Sequence, residues 1–283
     1  MKKFIQLSII SIFTLTACNT TKDITSDEIE EKAVSTSDQR NTGSAVYWQQ
    51  NSAEYEALCY QAFNSAQVYL NQFIDGFNPS EDEINNEKKL TIVMDLDETV
   101  LNNTPYNGYL VKNNLIFSPE TWREWTMQAS ADLVPGALEF INGATDAGIE
   151  IFFISNRSQR ELPYTIQNLV EKGVKFSEEK ILLSGRDFGS KKQDRRNIID
   201  PSYNIIMLIG DNLADFHEVF ESEAIELDQR KELVNSFQNQ FGKKFIILPN
   251  VMYGDWMPTE PAENDPNRPV PVKDLNPFIE SYK

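Results

Sequence analysis

Asp95 and Asp97 flank Leu96 directly after the apolar run Leu90–Met94, and a second acidic pair, Asp211 and Asp215, follows the apolar run Ile205–Ile209. Two carboxylates brought that close repel unless a proton or a cation lies between them. Mg²⁺ suits such a site, because it takes a few carboxylates and keeps positions for water and a phosphate oxygen. With Asp211 contributing from a neighbouring strand end, Asp95 can approach an anionic phosphorus and form an aspartyl-phosphate. Asp97 is then the acid that protonates the leaving oxygen and the base that later takes a proton from water. The charge on the phosphoryl oxygens calls for donors. Ser155, Lys192 and the backbone N–H groups after Asp95 can supply them. Asp215 is expected to point back from a helix starting near Leu213 and to orient ligands or waters.

Taken singly, each residue has a plainer reading. Acidic pairs around a leucine are common in surface loops. Asp211 and Asp215 suit a helix N-terminus, where the helix dipole favours acids. Lys191 and Lys192 suit a solvated patch, and Ser155 suits a helix cap. Their shared position after buried strands favours the combined reading, since ligands of open α/β sheets bind at the carboxyl ends of strands.

The elements that must position these residues are legible as alternation. Five short apolar runs, Leu90–Met94, Glu150–Ile154, Lys180–Leu183, Ile205–Ile209 and Phe245–Leu248, are separated by longer segments. Those segments include Pro135–Ala147, Arg160–Lys172 and Leu213–Phe220, which have helix length. Continuous apolar strands alternating with helices predict a parallel sheet in a three-layer, Rossmann-like α/β domain. Tyr55, Leu58, Ala62, Ala66, Tyr69 and Phe73 recur at helical spacing and predict one helix within Gln50–Phe77, broken at Asn78-Pro79-Ser80. Residues 102–132 fit neither a loop nor a crossover. With residues 46–80 they are expected to form a smaller, mainly helical cap over the sheet edge.

Composition narrows the partners. Among 283 residues, 43 acidic against 26 basic side chains give a formal charge of −17, which argues against a nucleic-acid binder. A single histidine, His217, excludes His₂ and His₃ zinc sites. Met1, Lys2 and Lys3 precede an apolar run from Phe4 to Leu15 that is too short to span a membrane. The run ends in Leu15-Thr16-Ala17-Cys18, which resembles a bacterial lipoprotein signal. Residues 1–17 are therefore expected to be removed, Cys18 to be lipidated, and residues 18–45, without an aromatic, to form a flexible tether. The domain is expected to occupy residues 46–283. Cys59 then has no disulfide partner, and stability must rest on the core.

The ordered set resembles the class C bacterial acid phosphatases of the haloacid dehalogenase superfamily, outer-membrane lipoproteins that act as 5′-nucleotidases. The signature pair is Asp95-Leu96-Asp97-Glu98-Thr99-Val100-Leu101-Asn102-Asn103-Thr104-Pro105-Tyr106 with Gly210-Asp211-Asn212-Leu213-Ala214-Asp215-Phe216. Ser52-Ala53-Glu54-Tyr55, Val134-Pro135-Gly136-Ala137, Ser155-Asn156-Arg157 and Phe245-Ile246-Ile247-Leu248-Pro249-Asn250 extend it over nearly the whole domain. Met94 and Leu208 stand where smaller or β-branched aliphatics are usual, and both conserve volume.

The resemblance implies an acid phosphatase working on nucleoside monophosphates, nicotinamide mononucleotide or aryl phosphates, with an acidic pH optimum. It implies Mg²⁺ held by Asp95, the backbone carbonyl of Asp97, and Asp211. It implies phosphate binding by Ser155, Asn156 and a lysine. Lys191 and Lys192 are adjacent, and the following Gln193-Asp194-Arg195-Arg196 favours Lys192. It implies a clamp on the substrate ring from Phe117 and Tyr253, with Trp122 lining the pocket. A lipid anchor in the outer membrane of a Gram-negative envelope and a homodimer are also implied. Two other classes compete: a non-catalytic surface lipoprotein binding a nucleotide, haem or host partner, and a phosphoryl-accepting receiver domain. The intact nucleophile and acid argue against the first, and the Asp-x-Asp pair and export signal against the second.

Overall fold

The computed structural model describes residues 36–79, 84–185, 191–221, 227–262, 265–271, 275 and 279. The expected signal segment and Cys18 lie outside them. In chain order the elements are α1 (Thr36–Asn51), α2 (Ala53–Ile74), β1 (Lys89–Met94), β2 (Leu101–Asn102), α3 (Thr104–Asn113), α4 (Pro119–Thr126), β3 (Asp132–Leu133), α5 (Ala137–Asp146) and β4 (Glu150–Ser158). There follow α6 (Leu162–Glu171), β5 (Ile181–Ser184), α7 (Lys192–Ile199), β6 (Tyr203–Gly210), α8 (Leu227–Ser236), β7 (Phe245–Ile247), β8 (Thr259–Ala262) and β9 (Asp265–Pro271).

Five strands form one sheet in the order β5-β4-β1-β6-β7, and every pairing in it is parallel. The reason is visible in how successive residues divide. Ile92 and Met94 of β1 face one buried cluster, and Val93 faces another. In β4, Ile151 and Phe153 join the first cluster, and Phe152 and Ile154 the second. A sheet apolar on both faces needs a helical layer on each, which is why its strands read as uninterrupted apolar runs. The first layer holds α2, α5 and Leu169 of α6. The second holds Ile199 of α7 with Phe216.

Three expectations change. The tether was expected to run to residue 45, but helix starts at Thr36. Val46 and Gln49 of α1 are buried, and the helix extends back from that packed end. The helix expected within Gln50–Phe77 is α2, a single helix that Ser52 caps by accepting a hydrogen bond from the Tyr55 N–H. Helix α2 is a layer of the sandwich rather than part of a cap. Its residues Tyr55, Cys59, Phe63, Ala66, Leu70 and Phe73 pack with β1 and α5 in one core, an apolar stripe too complete for a half-exposed lid. Leu213–Phe220 is not an α-helix but two 3₁₀ turns, Leu213–Asp215 and Glu218–Phe220. Residues 102–132 do leave the sheet: α3 and α4 lie between β2 and β3, which pair antiparallel and close the excursion at its base.

Candidate active site

Strand β1 is central, with β4 on one side and β6 on the other, so the chain leaves the sheet in opposite directions from its carboxyl end. Such a switch point opens a crevice for ligands. Asp95 stands there, its N–H bonded to the Ile209 carbonyl of β6 at 2.9 Å. Asp211 follows β6 directly. Asp215 is brought back by the 3₁₀ turn after Asn212, whose backbone N–H donates to Asp215 Oδ2 at 3.0 Å. The Asp95, Asp211 and Asp215 carboxylates each offer an oxygen within 4.8 Å of the others.

Lys192, the first residue of α7, is buried and donates its ammonium to Asp95 and Asp215 together. Lys191 is exposed beside it, so the structure turns Lys192 and not its neighbour into the site. Burial works to lower the Lys192 ammonium, but Asp215 and Asp95 outweigh it and hold it above the ordinary lysine range. Burial pushes Asp95 up to about 7, opposed by Lys192 and assisted by Asp215 and Asp97. Burial, with Asp215 and Asp95 adding to it, also raises Asp211 well above the ordinary carboxylate range. Asn250 donates to Asp211 Oδ2 at 2.8 Å. Of the three gathered carboxylates two bond one ammonium, and every atom the three offer a cation is an oxygen. That set fits a hard divalent cation.

Asp97 has its own set of donors. Arg157 reaches it with Nε at 3.0 Å and Nη2 at 2.8 Å, Asn103 donates at 2.9 Å, and Ser155 Oγ donates at 3.2 Å. Arg157 is itself held by Thr165 Oγ1 at 3.0 Å. Ser155 is thus beside Asp97. Asn156 is exposed, and its Oδ1 accepts from Arg195 at 2.5 Å. Strand β4 continues through these residues to Ser158, so they lie on the strand and not after it.

The aromatic residues form two groups. Phe117 and Trp122 lie 6.3 Å apart between ring centroids, and Tyr106 packs edge-on to both. The Arg157 guanidinium sits 5.7 Å from the Trp122 ring centre. Tyr253 meets the Asp95–Thr99 loop through its hydroxyl, which donates to Glu98 Oε1 at 3.0 Å. Both groups therefore border that loop, through Arg157 and through Glu98.

Sequence reasoning passed over four residues that the structure brings in. Arg157 lay inside a quoted motif without a role. Glu98, wholly buried and pushed up to about 8 by burial and Asp97, stands next to the acid. Asn103 follows six residues after Asp97, and Asn250 follows β7. Position after a strand end was the signal available for Asn250. Nothing in spacing marked Asn103 or Glu98.

Comparison with known proteins shows the family. A family model described as HAD superfamily, subfamily IIIB (Acid phosphatase), matches residues 9–256. The class C acid phosphatase from Bacillus anthracis is 35% identical, with a TM-score of 0.69 over 77% of this chain and 87% of that one. A second structure of that protein, with tungstate bound, is 34% identical with a TM-score of 0.68. Stem 28 kDa glycoprotein of Glycine max is 32% identical over 45% of this chain, and acid phosphatase 1 of Solanum lycopersicum 26% over 44%. The chain spans about half the length of these curated plant relatives, 52% and 50%. The chain belongs to the acid phosphatases of subfamily IIIB of the HAD superfamily, in their class C branch.

Proposed function

We propose that the protein is a divalent-metal-dependent phosphomonoesterase, with nucleoside monophosphates as substrates and an aspartyl-phosphate on Asp95. The carrying observation is Asp95 at the end of the central strand, gathered with the Asp211 and Asp215 carboxylates and joined to Asp215 through the Lys192 ammonium. The tungstate complex of the Bacillus anthracis relative supports the reading, because tungstate is a tetrahedral oxyanion like phosphate.

Asp95, Asp211 and the Asp97 backbone carbonyl would hold the metal, taken to be Mg²⁺, with Asp215 orienting from behind. Its chemistry would be neutralisation of carboxylate and phosphoryl charge. An Asp95 oxygen attacks phosphorus, and the bond from phosphorus to the ester oxygen breaks. Asp97 gives that oxygen its proton. A water then attacks phosphorus, passes its proton to Asp97, and the Asp95–phosphorus bond breaks to release phosphate. Lys192, already paired with Asp95, is beside any phosphoryl oxygen carried there. Ser155 and Asn156 complete the phosphate donors. Phe117, Trp122 and Tyr253 border the space for the organic group.

The test is a phosphate-release panel of 5′- and 3′-mononucleotides and aryl phosphates, with and without Mg²⁺. Release from AMP is expected to stop on chelation and in Asp95→Asn. Activity persisting in either case overturns the mechanism, and binding without turnover of any ester restores the non-catalytic reading. Lipidation at Cys18, an outer-membrane location and a homodimer are proposals from sequence resemblance. Release of a Cys18→Ala protein from the membrane fraction, and sedimentation of the intact chain, check them.

A further inference from the structure

Glu98 combines two costly features. Its backbone φ is 59°, a left-handed conformation that disfavours any residue with a Cβ. The residue is 0% exposed, and the adjacent Asp97 carboxylate adds like charge beside it. Strain and burial held together near a site point to a constraint that the surrounding structure enforces.

What surrounds the carboxyl group is specific. Gln49 of α1 donates at 3.2 Å, the Asn103 backbone N–H at 3.3 Å, and the Tyr253 hydroxyl at 3.0 Å. These donors come from α1, from the cap of α3 and from the loop after β7. That last loop also carries Asn250, which braces Asp211. Tyr253 is 36% exposed overall, so part of it faces solvent while its hydroxyl is engaged inside. Glu98 is adjacent to Asp97 and shares Asn103 with it, Asp97 taking the side-chain amide and Glu98 the backbone N–H, while Gln49 and Tyr253 bond Glu98.

We propose that Glu98 is a positioning residue for Tyr253. By holding the hydroxyl, it stands the tyrosine ring as a fixed wall beside the carboxylate site and so sets affinity for a substrate whose organic group carries a planar ring. Glu98 touches neither phosphate nor metal in this role. A phenylalanine at 253 keeps the ring but loses the anchor, and the ring must then be ordered at each binding event. The inference rests on Tyr253 as a stacking residue and deepens the phosphatase reading.

The experiment uses the intact protein with Mg²⁺ and compares KM for AMP with KM for glycerol 2-phosphate, which has no ring. Tyr253→Phe and Glu98→Leu are each expected to raise the ratio of the two KM values about three- to tenfold, the effect of one hydrogen bond. Glu98→Gln keeps an acceptor oxygen for the hydroxyl and is expected to stay near the wild-type ratio. The double variant Glu98→Leu/Tyr253→Phe should add nothing beyond either single change. A wild-type ratio in Tyr253→Phe, alongside a raised ratio in Tyr253→Ala, overturns the positioning role and leaves stacking intact. A wild-type ratio in Tyr253→Ala overturns stacking and this inference with it. If thermal melting shows that Glu98→Leu does not fold, Tyr253→Phe decides alone. If neither ester turns over, the phosphatase reading falls, and AMP affinity by calorimetry carries the same comparison.

Discussion

Gly210 lies directly beneath the Asp215 carboxylate: a Cβ built on Gly210 would stand 2.1 Å from Asp215 Oδ2 and 2.4 Å from its Cβ. The turn that returns Asp215 to the site therefore closes only over a residue without a side chain. Gly210→Ala is expected to expel Asp215 from Lys192, and overpacking of this kind costs about 1–3 kcal/mol. Phosphatase activity should fall by roughly 10²-fold, as misplacement of a site group does. Turnover of AMP, with a melting curve beside it, checks both.

Arg157 meets Asp97 with two nitrogens and is itself fixed by Thr165. Lysine keeps the charge but cannot reproduce that fork. Arg157→Lys is expected to lower kcat on AMP by about 10–100-fold through loss of alignment. The loss should be smaller for p-nitrophenyl phosphate, whose leaving group departs with less help from an acid. Equal losses on the two esters would contradict a role exerted through Asp97.

Lys192 is the ammonium that the buried Asp95 and Asp215 share. Removing one partner of a buried ion pair leaves uncompensated charge and costs about 3–5 kcal/mol. Lys192→Met is expected to lose stability on that scale in metal-free protein, and added Mg²⁺ should restore part of it. Urea unfolding with and without the cation reads both outcomes.

Cys59 is fully buried in the α2 core, and burial pushes its thiol from 9.0 up to about 11. A raised thiol pKa in the folded chain keeps Cys59 neutral there, while the unfolded chain ionises first as pH rises. Its contribution to stability is therefore fully present below about pH 9 and is lost progressively toward pH 11. In a Cys18→Ser protein at pH 8, Cys59 should resist alkylation until denaturant is added. Rapid labelling of the native protein would refute this.

The parallel sheet and the acidic residues were legible in the sequence because both depend on local order. Strands buried on two faces must be apolar throughout, and a residue directly after such a strand has one edge of the sheet to occupy. Asp95 and Asp211 follow from that rule alone, whereas Ser155 lies on β4 itself. Lys192 and Asp215 needed more. Lys191 is the extended residue before α7 and Lys192 its first helical residue, and only the packing of α7 turned Lys192 inward. The turn carrying Asp215 is 3₁₀ and closes over Gly210, a contact that no periodicity encodes.

The sequence by itself determined the alternation of strand and helix, the order of the acidic pairs, and a family resemblance carried by contiguous motifs. Tertiary structure decided which residues share a partner. Glu98 with Gln49 and Tyr253, and Asp97 with Arg157, Asn103 and Ser155, are joined across separations of up to 155 residues. It also decided that α2 belongs to the sandwich rather than to a cap, since a helix with that apolar stripe is stable only where the stripe is covered. Hydrophobic patterning constrains which face of an element is buried. Directional hydrogen bonds and charge pairs are settled only when distant segments meet.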